Sequence, residues 1–376
     1  MRSILPRIWF DMAETLEKKI RVLVVDDSPF MCKVLQDLIH SDPALEVVGR
    51  ARDGREGVAL ADALRPDVIT MDLNMPHVDG LQATEMIMSR HPRPIVIVSS
   101  ESREGAASTL KALDLGAVDF VPKPSSGIDL DMRAVRDELT RKLKMAAKVR
   151  VVRTAARSKP SAAAPPHAPG ASVSTGSGGR SPIVVIAAST GGPAASTRIV
   201  SGLPGNLSAV VFLVLHMPAV FTKQFTLQLA EISALPVKEA ESNEMPQPGT
   251  IYVCPGSQHL RLTASGRIAL DDGPRIDGYR PCADVTLEAV AGLARSSSIA
   301  VILTGMGSDA ARGAQSVRAA GGHVIAQDEA TSVIFGMPAE TIKTGAANEV
   351  LPLEEIAEAI SRRVARLMRL VPAGVR

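Results

Sequence analysis

The chain is 376 residues long, with 45% hydrophobic residues, 22% charged residues and a formal net charge of +2. That length points to two domains rather than one core, and the near-neutral balance excludes a polyelectrolyte-coating protein. Aromatics make up only 3%, which leaves little for a base-stacking platform, so no nucleic-acid partner is expected and the cores must be Val, Ile, Leu and Ala.

Cys32, Cys254 and Cys282 lie far apart without paired spacing, which argues against a disulfide framework or a thiolate metal site and fits a cytoplasmic location. Apolar runs such as residues 183–188 and 209–215 fall far short of the ~20 residues that cross a bilayer, so no direct membrane insertion is expected. Residues 1–10 hold a broken apolar run with no small-residue cleavage pattern. Residues 1–19 are therefore expected to be a disordered extension rather than a secretory signal.

From residue 20 to 149, short Val/Ile-rich runs (22–25, 47–48, 68–71, 95–98 and 118–121) alternate with amphipathic segments. This is the pattern of a parallel sheet with crossover helices, and five such units predict a flavodoxin-like (βα)5 domain with its site at the strands' carboxyl ends. Residues 150–181 shift to Ala, Pro, Gly and Ser, the composition of a flexible linker. A second α/β pattern occupies 182–370, with strands at 183–188, 209–215 and 299–303, a hairpin around Ser265-Gly266 and a closing helix over 353–370; residues 371–376 form a tail. The fold class is α/β, and this second domain is expected to be a doubly wound α/β hydrolase with a mainly parallel sheet.

In the first domain Asp26-Asp27 end one strand and Asp72 ends another. Three carboxylates at one sheet edge repel each other unless a hard cation with oxygen ligands, most simply Mg²⁺, neutralises them and leaves room for a phosphoryl group. Asp72 is the expected acceptor nucleophile, Lys123 can pair with the added charge, and Ser99 can donate a hydrogen bond. These residues resemble the receiver domain of two-component response regulators: Val25-Asp26-Asp27-Ser28, Asp72-Leu-Asn-Met-Pro with Asp79-Gly80, Val98-Ser99-Ser100 and Phe120-Val-Pro-Lys123-Pro124. The resemblance implies that Asp72 takes phosphate from a histidine kinase, that Asp26, Asp27 and Asp72 hold Mg²⁺, and that Ser99 and Phe120 shift on phosphorylation.

In the second domain Ser189 follows a buried strand and precedes Thr190-Gly191-Gly192-Pro193, a strand-to-helix turn that exposes a hydroxyl at the sheet edge. Alone, the string fits a phosphate-cradling turn or a plain tight turn as well as a nucleophile elbow. His216 stands at the carboxyl end of the next long strand and Asp309 beyond a third. A triad is then expected in which His216 Nε2 faces Ser189 and Asp309 orients the ring through Nδ1. The order Ser, His, Asp differs from that of α/β hydrolases, so the sheet must be connected differently. Glycines around Met306 allow close backbone approach, and the Met306 amide could bind an oxyanion. His259 and His323 are assigned to structure or to the site rim.

The second domain also looks like the catalytic domain of chemotaxis protein-glutamate methylesterases. The likeness is carried by Ala188-Ser189-Thr-Gly-Gly-Pro193, His216-Met-Pro with Phe221-Thr222, Pro248-Gly-Thr-Ile-Tyr-Val253, His259-Leu260, Leu303-Thr-Gly-Met-Gly307 with Asp309, and Gln327-Asp328 followed by Gly336-Met-Pro338. It implies Ser189, His216 and Asp309 as the triad, with Thr190 and Met306 lining the pocket. The implied activity is hydrolysis of glutamyl methyl esters, and deamidation of glutamines, in the cytoplasmic domains of methyl-accepting chemoreceptors. It also implies a chemotaxis-type histidine kinase as phosphodonor; the tether and the charge that phosphate adds at Asp72 lead to the expectation of a receiver that covers the pocket and inhibits until phosphorylated. The ester chemistry needs no cofactor, so Mg²⁺ belongs to phosphorylation. Two departures stand out: Ala310 follows the triad aspartate where the family usually has Gly, and Pro281-Cys-Ala-Asp-Val replaces a more hydroxyl-rich segment.

Overall fold

The computed structural model describes residues 18–100, 102–123, 132–149 and 181–370. The first half runs β1 (Ile20–Val25), α1 (Pro29–His40), β2 (Leu45–Ala51), α2 (Gly54–Leu64), β3 (Val68–Asp72), α3 (Gly80–Arg90), β4 (Ile95–Ser99), α4 (Arg103–Asp114), β5 (Asp119–Pro122) and α5 (Met132–Ala146). Its five parallel strands lie in the order β2-β1-β3-β4-β5, the flavodoxin-like arrangement expected from the sequence. Helices cover both faces, so β3 and β4 are buried along their whole length and read as continuous apolar runs. The helices start where their caps stand: Ser28 accepts from the Met31 amide ahead of α1, and Asp79 and Gln82 form a reciprocal capping box on α3.

The second half comprises β6 (Ile183–Ala188), α6 (Gly192–Gly202), β7 (Val210–Leu215), α7 (Ala219–Ile232), β8 (Val237–Glu239), β9 (Thr250–Val253), β10 (His259–Leu262), β11 (Ile268–Asp271), α8 (Ala283–Ala294), β12 (Ser298–Ile302), α9 (Ala311–Ala319), β13 (His323–Gln327), α10 (Met337–Lys343), β14 (Glu349–Leu351) and α11 (Leu353–Leu370). Seven strands form one sheet in the order β14-β13-β12-β6-β7-β9-β8, and every pair in it is parallel. The antiparallel pair β10–β11 turns at Gly266, whose φ is 86°, and is the expected hairpin. The three central strands β12, β6 and β7 are fully buried. They include the point where strand order reverses, the place where an open parallel sheet opens a crevice.

Beyond the three strands and the hairpin expected, the structure contains β8, β9, β13 and β14, each three to five residues long. Segments that short carry too few residues to show a period. The two halves share packing. One apolar cluster contains Leu110, Leu113 and Phe120 from the first half and Phe221, Phe225 and Leu229 from the second, and Gln228 on α7 donates to Asp114 at the end of α4 (2.7 Å). Among the described residues no helix is long and apolar enough to cross a membrane. The extension at 1–17, the linker over 150–180 and the tail at 371–376 lie outside the described residues.

Candidate active site and phosphoacceptor site

The carboxyl ends of β1, β3 and β5 bring Asp26, Asp72 and Lys123 together. Lys123 Nζ lies 2.9 Å from Asp26 Oδ2 and 2.8 Å from Asp72 Oδ2. Asp26 and Asp72 are buried while Asp27 is exposed. Burial pushes the Asp72 carboxyl upward, against the pull of the Lys123 ammonium. Burial also opposes the charge on Lys123, yet the two aspartates outweigh it and raise its affinity for the proton. Asp26, Asp27 and Asp72 can each offer one oxygen, all within 4.8 Å of one another. Asp26 Oδ2 is buried, with the Lys123 ammonium as its ion-pair partner. An all-oxygen donor set with two of its three carboxylates buried fits a hard divalent cation. Ser99, at the end of β4, points its hydroxyl at the carbonyls of Gly105 (3.3 Å) and Ser100 (3.4 Å).

Phe120 is buried, but not within its own half: its ring stacks on Phe221 of α7 at 4.2 Å between centroids. Next to it Asp119 Oδ2 accepts a hydrogen bond from Thr190 Oγ1, and Asp119 Oδ1 pairs with Lys142 Nζ at 3.2 Å. Lys142 also sits 5.0 Å above the Phe120 ring. Arg141, one residue earlier on α5, reaches Tyr279 Oη and Met306 Sδ, both at 3.5 Å. The face of the first half that carries Phe120 thus lies directly against the loops where the sequence placed Thr190 and Met306.

Ser189, His216 and Asp309 emerge beyond the carboxyl ends of β6, β7 and β12, three adjacent strands. Ser189 is half-buried and its turn is anchored by Ser189 N to Thr304 O (3.1 Å) and by Gly192 N to Ser189 O (2.6 Å). Gly191 takes φ 74° at the entry to α6, a conformation that favours glycine. The loop preceding Met306 runs close by: a Cβ on Gly305 would come within 2.9 Å of Ser189 Cβ. Met306 follows directly in that loop.

His216 and Asp309 meet at 2.7 Å between Nε2 and Oδ2. The ring is reversed from the sequence expectation, because Nε2 faces the carboxylate and Nδ1 is buried without a hydrogen-bond partner. Asp309 takes further hydrogen bonds from the amides of Ala283 (2.7 Å), Asp284 (2.9 Å) and Ala310 (2.8 Å), and from the Cys282 thiol (3.2 Å). Burial alone would raise its pKa, but His216 and the amides outweigh burial and hold it well below the usual carboxylate range. An ionised Asp309 accepts, so Nε2 donates to it and Nδ1 is the ring nitrogen turned away from the carboxylate. The base–nucleophile hydrogen bond is not formed here, as is common before substrate arrives.

Ala310 has φ 77° and is fully buried, a left-handed conformation that favours glycine and that the chain meets here with strain. The unusual Cys282 starts α8 directly against Asp309, with its amide donating to His259 Nδ1 (3.2 Å) while His259 Nε2 faces Pro274 O (3.1 Å). His259 thereby holds the segment that supports Asp309. His323 pairs with Glu349 at 2.6 Å at the opposite end of its strand from Gln327, whose Oε1 accepts from Thr304 N (2.7 Å). Asp119, Arg141, Lys142, Phe221 and Tyr279 were not singled out from the sequence as site residues. The contacts of Asp119 and Arg141 with the second half bridge 71 to 165 residues, Lys142 reaches Asp119 across 23, and no local pattern marks them.

Residues 184–360 match the family model described as CheB methylesterase, and residues 22–157 match the response regulator receiver domain. A protein-glutamate methylesterase/protein-glutamine glutaminase of Symbiobacterium thermophilum is 48% identical over 364 residues, covering 94% of this chain and 99% of that one. Proteins of the same description from Pyrococcus abyssi and Thermotoga maritima are 43% and 44% identical, covering 92% and 91% of this chain and 94% and 98% of theirs. With both halves matched in order and nearly the full length shared, the chain belongs to the protein-glutamate methylesterase/protein-glutamine glutaminase family, whose catalytic half follows a response-regulator receiver.

Proposed function

We propose that this protein hydrolyses γ-methyl esters of glutamate side chains, and deamidates glutamines, in the cytoplasmic domains of methyl-accepting chemoreceptors, under control of phosphorylation at Asp72. The observation that carries the reading is the imidazole of His216. It is anchored at Nε2 by an ionised, multiply hydrogen-bonded Asp309 and carries an unpartnered Nδ1, with Ser189 on the neighbouring strand end.

His216 Nδ1 takes the proton of Ser189 Oγ as the oxygen attacks the ester carbonyl carbon. Asp309 stabilises the resulting imidazolium, and the Met306 amide supports the oxyanion from the wall beside Ser189. The tetrahedral intermediate collapses with the proton passing from His216 to the departing methoxide, which leaves as methanol. Water then gives a proton to Nδ1 while its oxygen attacks the acyl carbon, and Ser189 Oγ leaves with that proton from Nδ1, releasing glutamate and restoring the enzyme. With a glutamine the leaving group is ammonia.

The functional units are a receiver over 20–149 and an esterase over 182–370. In the receiver, Asp26, Asp27 and Asp72 would hold Mg²⁺, which neutralises charge for phosphoryl transfer from a chemotaxis-type histidine kinase. Phosphate adds about −1.5 to −2 charges beside Lys123. Ser99 turns from its carbonyl partners toward that charge, and Phe120, twenty-one residues on, leaves its stack on Phe221. Asp119 and Arg141 then release Thr190 and Met306, and substrate gains the pocket.

Methanol release from methyl-esterified receptor cytoplasmic fragments tests this reading. Wild type with acetyl phosphate and Mg²⁺ should release methanol faster than without them, Ser189→Ala should release none, and Asp72→Ala should not respond to the phosphodonor. Release by Ser189→Ala at the wild-type rate would refute the assignment of the nucleophile.

A further inference from the structure

Tyr279 stands outside the Ser–His–Asp set, in the loop between β11 and α8, held where Ile276 and Tyr279 exchange backbone hydrogen bonds of 3.0 and 2.9 Å. Its ring lies on the imidazole of His216, with centroids 4.0 Å apart and planes inclined by only 16°. Its hydroxyl approaches the glycine-rich loop, since a Cβ on Gly307 would come within 2.8 Å of Oη. Arg141 of the receiver reaches the same oxygen at 3.5 Å. One side chain therefore touches the base, the loop beside the nucleophile and the neighbouring domain.

Asp309 secures the imidazole at one nitrogen. A single hydrogen bond fixes a point and leaves the ring free to turn about it, and Nδ1 has no partner to supply a second point. The flat face of Tyr279 supplies the missing restraint on the plane. The same face is the negative side of the aromatic quadrupole, so it also favours the imidazolium that forms when His216 accepts the serine proton. Tyr279 is only half-buried and is absent from the apolar clusters of the core, so its placement serves the histidine more than the packing of the domain.

We propose that Tyr279 is a positioning residue that fixes the plane of the His216 ring and keeps Nδ1 available to Ser189. The proposal rests on the esterase reading above for its substrate, but the restraint on His216 acts on any reaction of Ser189.

The test compares full-length wild type, Tyr279→Leu and Tyr279→Phe, each activated with acetyl phosphate and Mg²⁺. Two readouts are taken: methanol release from methylated receptor fragments, and the rate at which a fluorophosphonate labels Ser189. The Leu variant should lose roughly tenfold in kcat and in labelling rate with KM and melting temperature unchanged, whereas the Phe variant, which keeps the stacked face, should stay within about twofold of wild type. Labelling of the Leu variant at the wild-type rate would overturn the proposal, as would an equal loss in Leu and Phe or an effect on KM alone. If wild type is labelled with the expected dependence on residue 279 but releases no methanol from any receptor, the positioning role holds and the substrate assignment fails.

Discussion

Phe120 and Phe221 stack at 4.2 Å across the two halves of the chain, with their planes inclined by 23°. A stacked pair adds about 0.5–1.5 kcal/mol beyond its buried area, so removing it weakens docking by a factor of about 2 to 12. Phe221→Ala should therefore raise methanol release without phosphodonor several-fold and shrink the stimulation by acetyl phosphate. Unchanged basal activity in this variant would show that the stack does not hold the closed arrangement.

Asp284 gives a pH-dependent stability of unusual sign. Burial, with Asp309 adding to it, raises its carboxyl to about 6, so the folded state keeps a proton that the unfolded chain has lost. Stability from this group is complete below the unfolded value and falls as pH rises from about 3.8 to about 6. Asp309 runs the other way: its depressed value means that its contribution is present above the unfolded value and is lost as pH falls through the acid range. Asp284→Asn keeps an oxygen for the Gly313 amide, which donates to Asp284 Oδ1 at 2.6 Å. With allowance for solvent screening and the lost Arg312 contact, it should stabilise the protein by roughly 1–2 kcal/mol at pH 7.5 and by nothing near pH 3.5. Denaturant midpoints at the two pH values check this.

Ala310 separates strain from function. Relief of its left-handed backbone on changing to Gly gains about 1–2 kcal/mol, while the lost methyl burial costs about 0.8 kcal/mol and the glycine entropy about 0.5–1 kcal/mol. Ala310→Gly should thus change stability by less than about 1 kcal/mol and retain wild-type activity. Ala310→Val, whose branched side chain tolerates neither the positive φ nor the buried site, should lose more than about 3 kcal/mol. Circular-dichroism melting beside methanol release distinguishes the two.

All three cysteines are buried, and burial raises each thiol, with Cys282 pushed up to about 12 beside Asp309. A thiol reagent at pH 8 should leave the native protein unmodified and react with three groups after denaturation. Native reactivity would place a thiol elsewhere than the structure has it. Cys282→Ser should keep the donor to Asp309 and near-normal kcat, and Cys282→Ala should lower kcat a few-fold by removing one of its hydrogen bonds.

Much of the fold was legible because buried parallel strands advertise themselves: runs such as Ile183–Ala188 and Val210–Leu215 are apolar at every position, and the chemistry falls at their ends. Asp26, Asp72 and Lys123 stand at such ends in the first half, and Ser189, His216 and Asp309 in the second. The ring nitrogens of His216 were assigned the wrong way round, since strand order says which residues meet but not which edge of a side chain turns inward. Tyr279 and Arg141 are not legible because a loop residue and a part-buried polar helix position have no period that points at a partner 138 residues away.

Ser189 and His216 each stand one residue beyond hydrogen-bonded neighbours in the sheet, and the His216 amide still reaches back to Ala188 O at 3.4 Å. The separation of nucleophile and base is thereby inherited from the ladder, whose strands lie about 4.8 Å apart in any sheet, and not from the loops above it. In the reading proposed above, movement of the receiver alters who may enter. Ser189 and His216 would then be set once, when β6 and β7 zip together, and would keep that spacing like a set gauge through every cycle of phosphorylation.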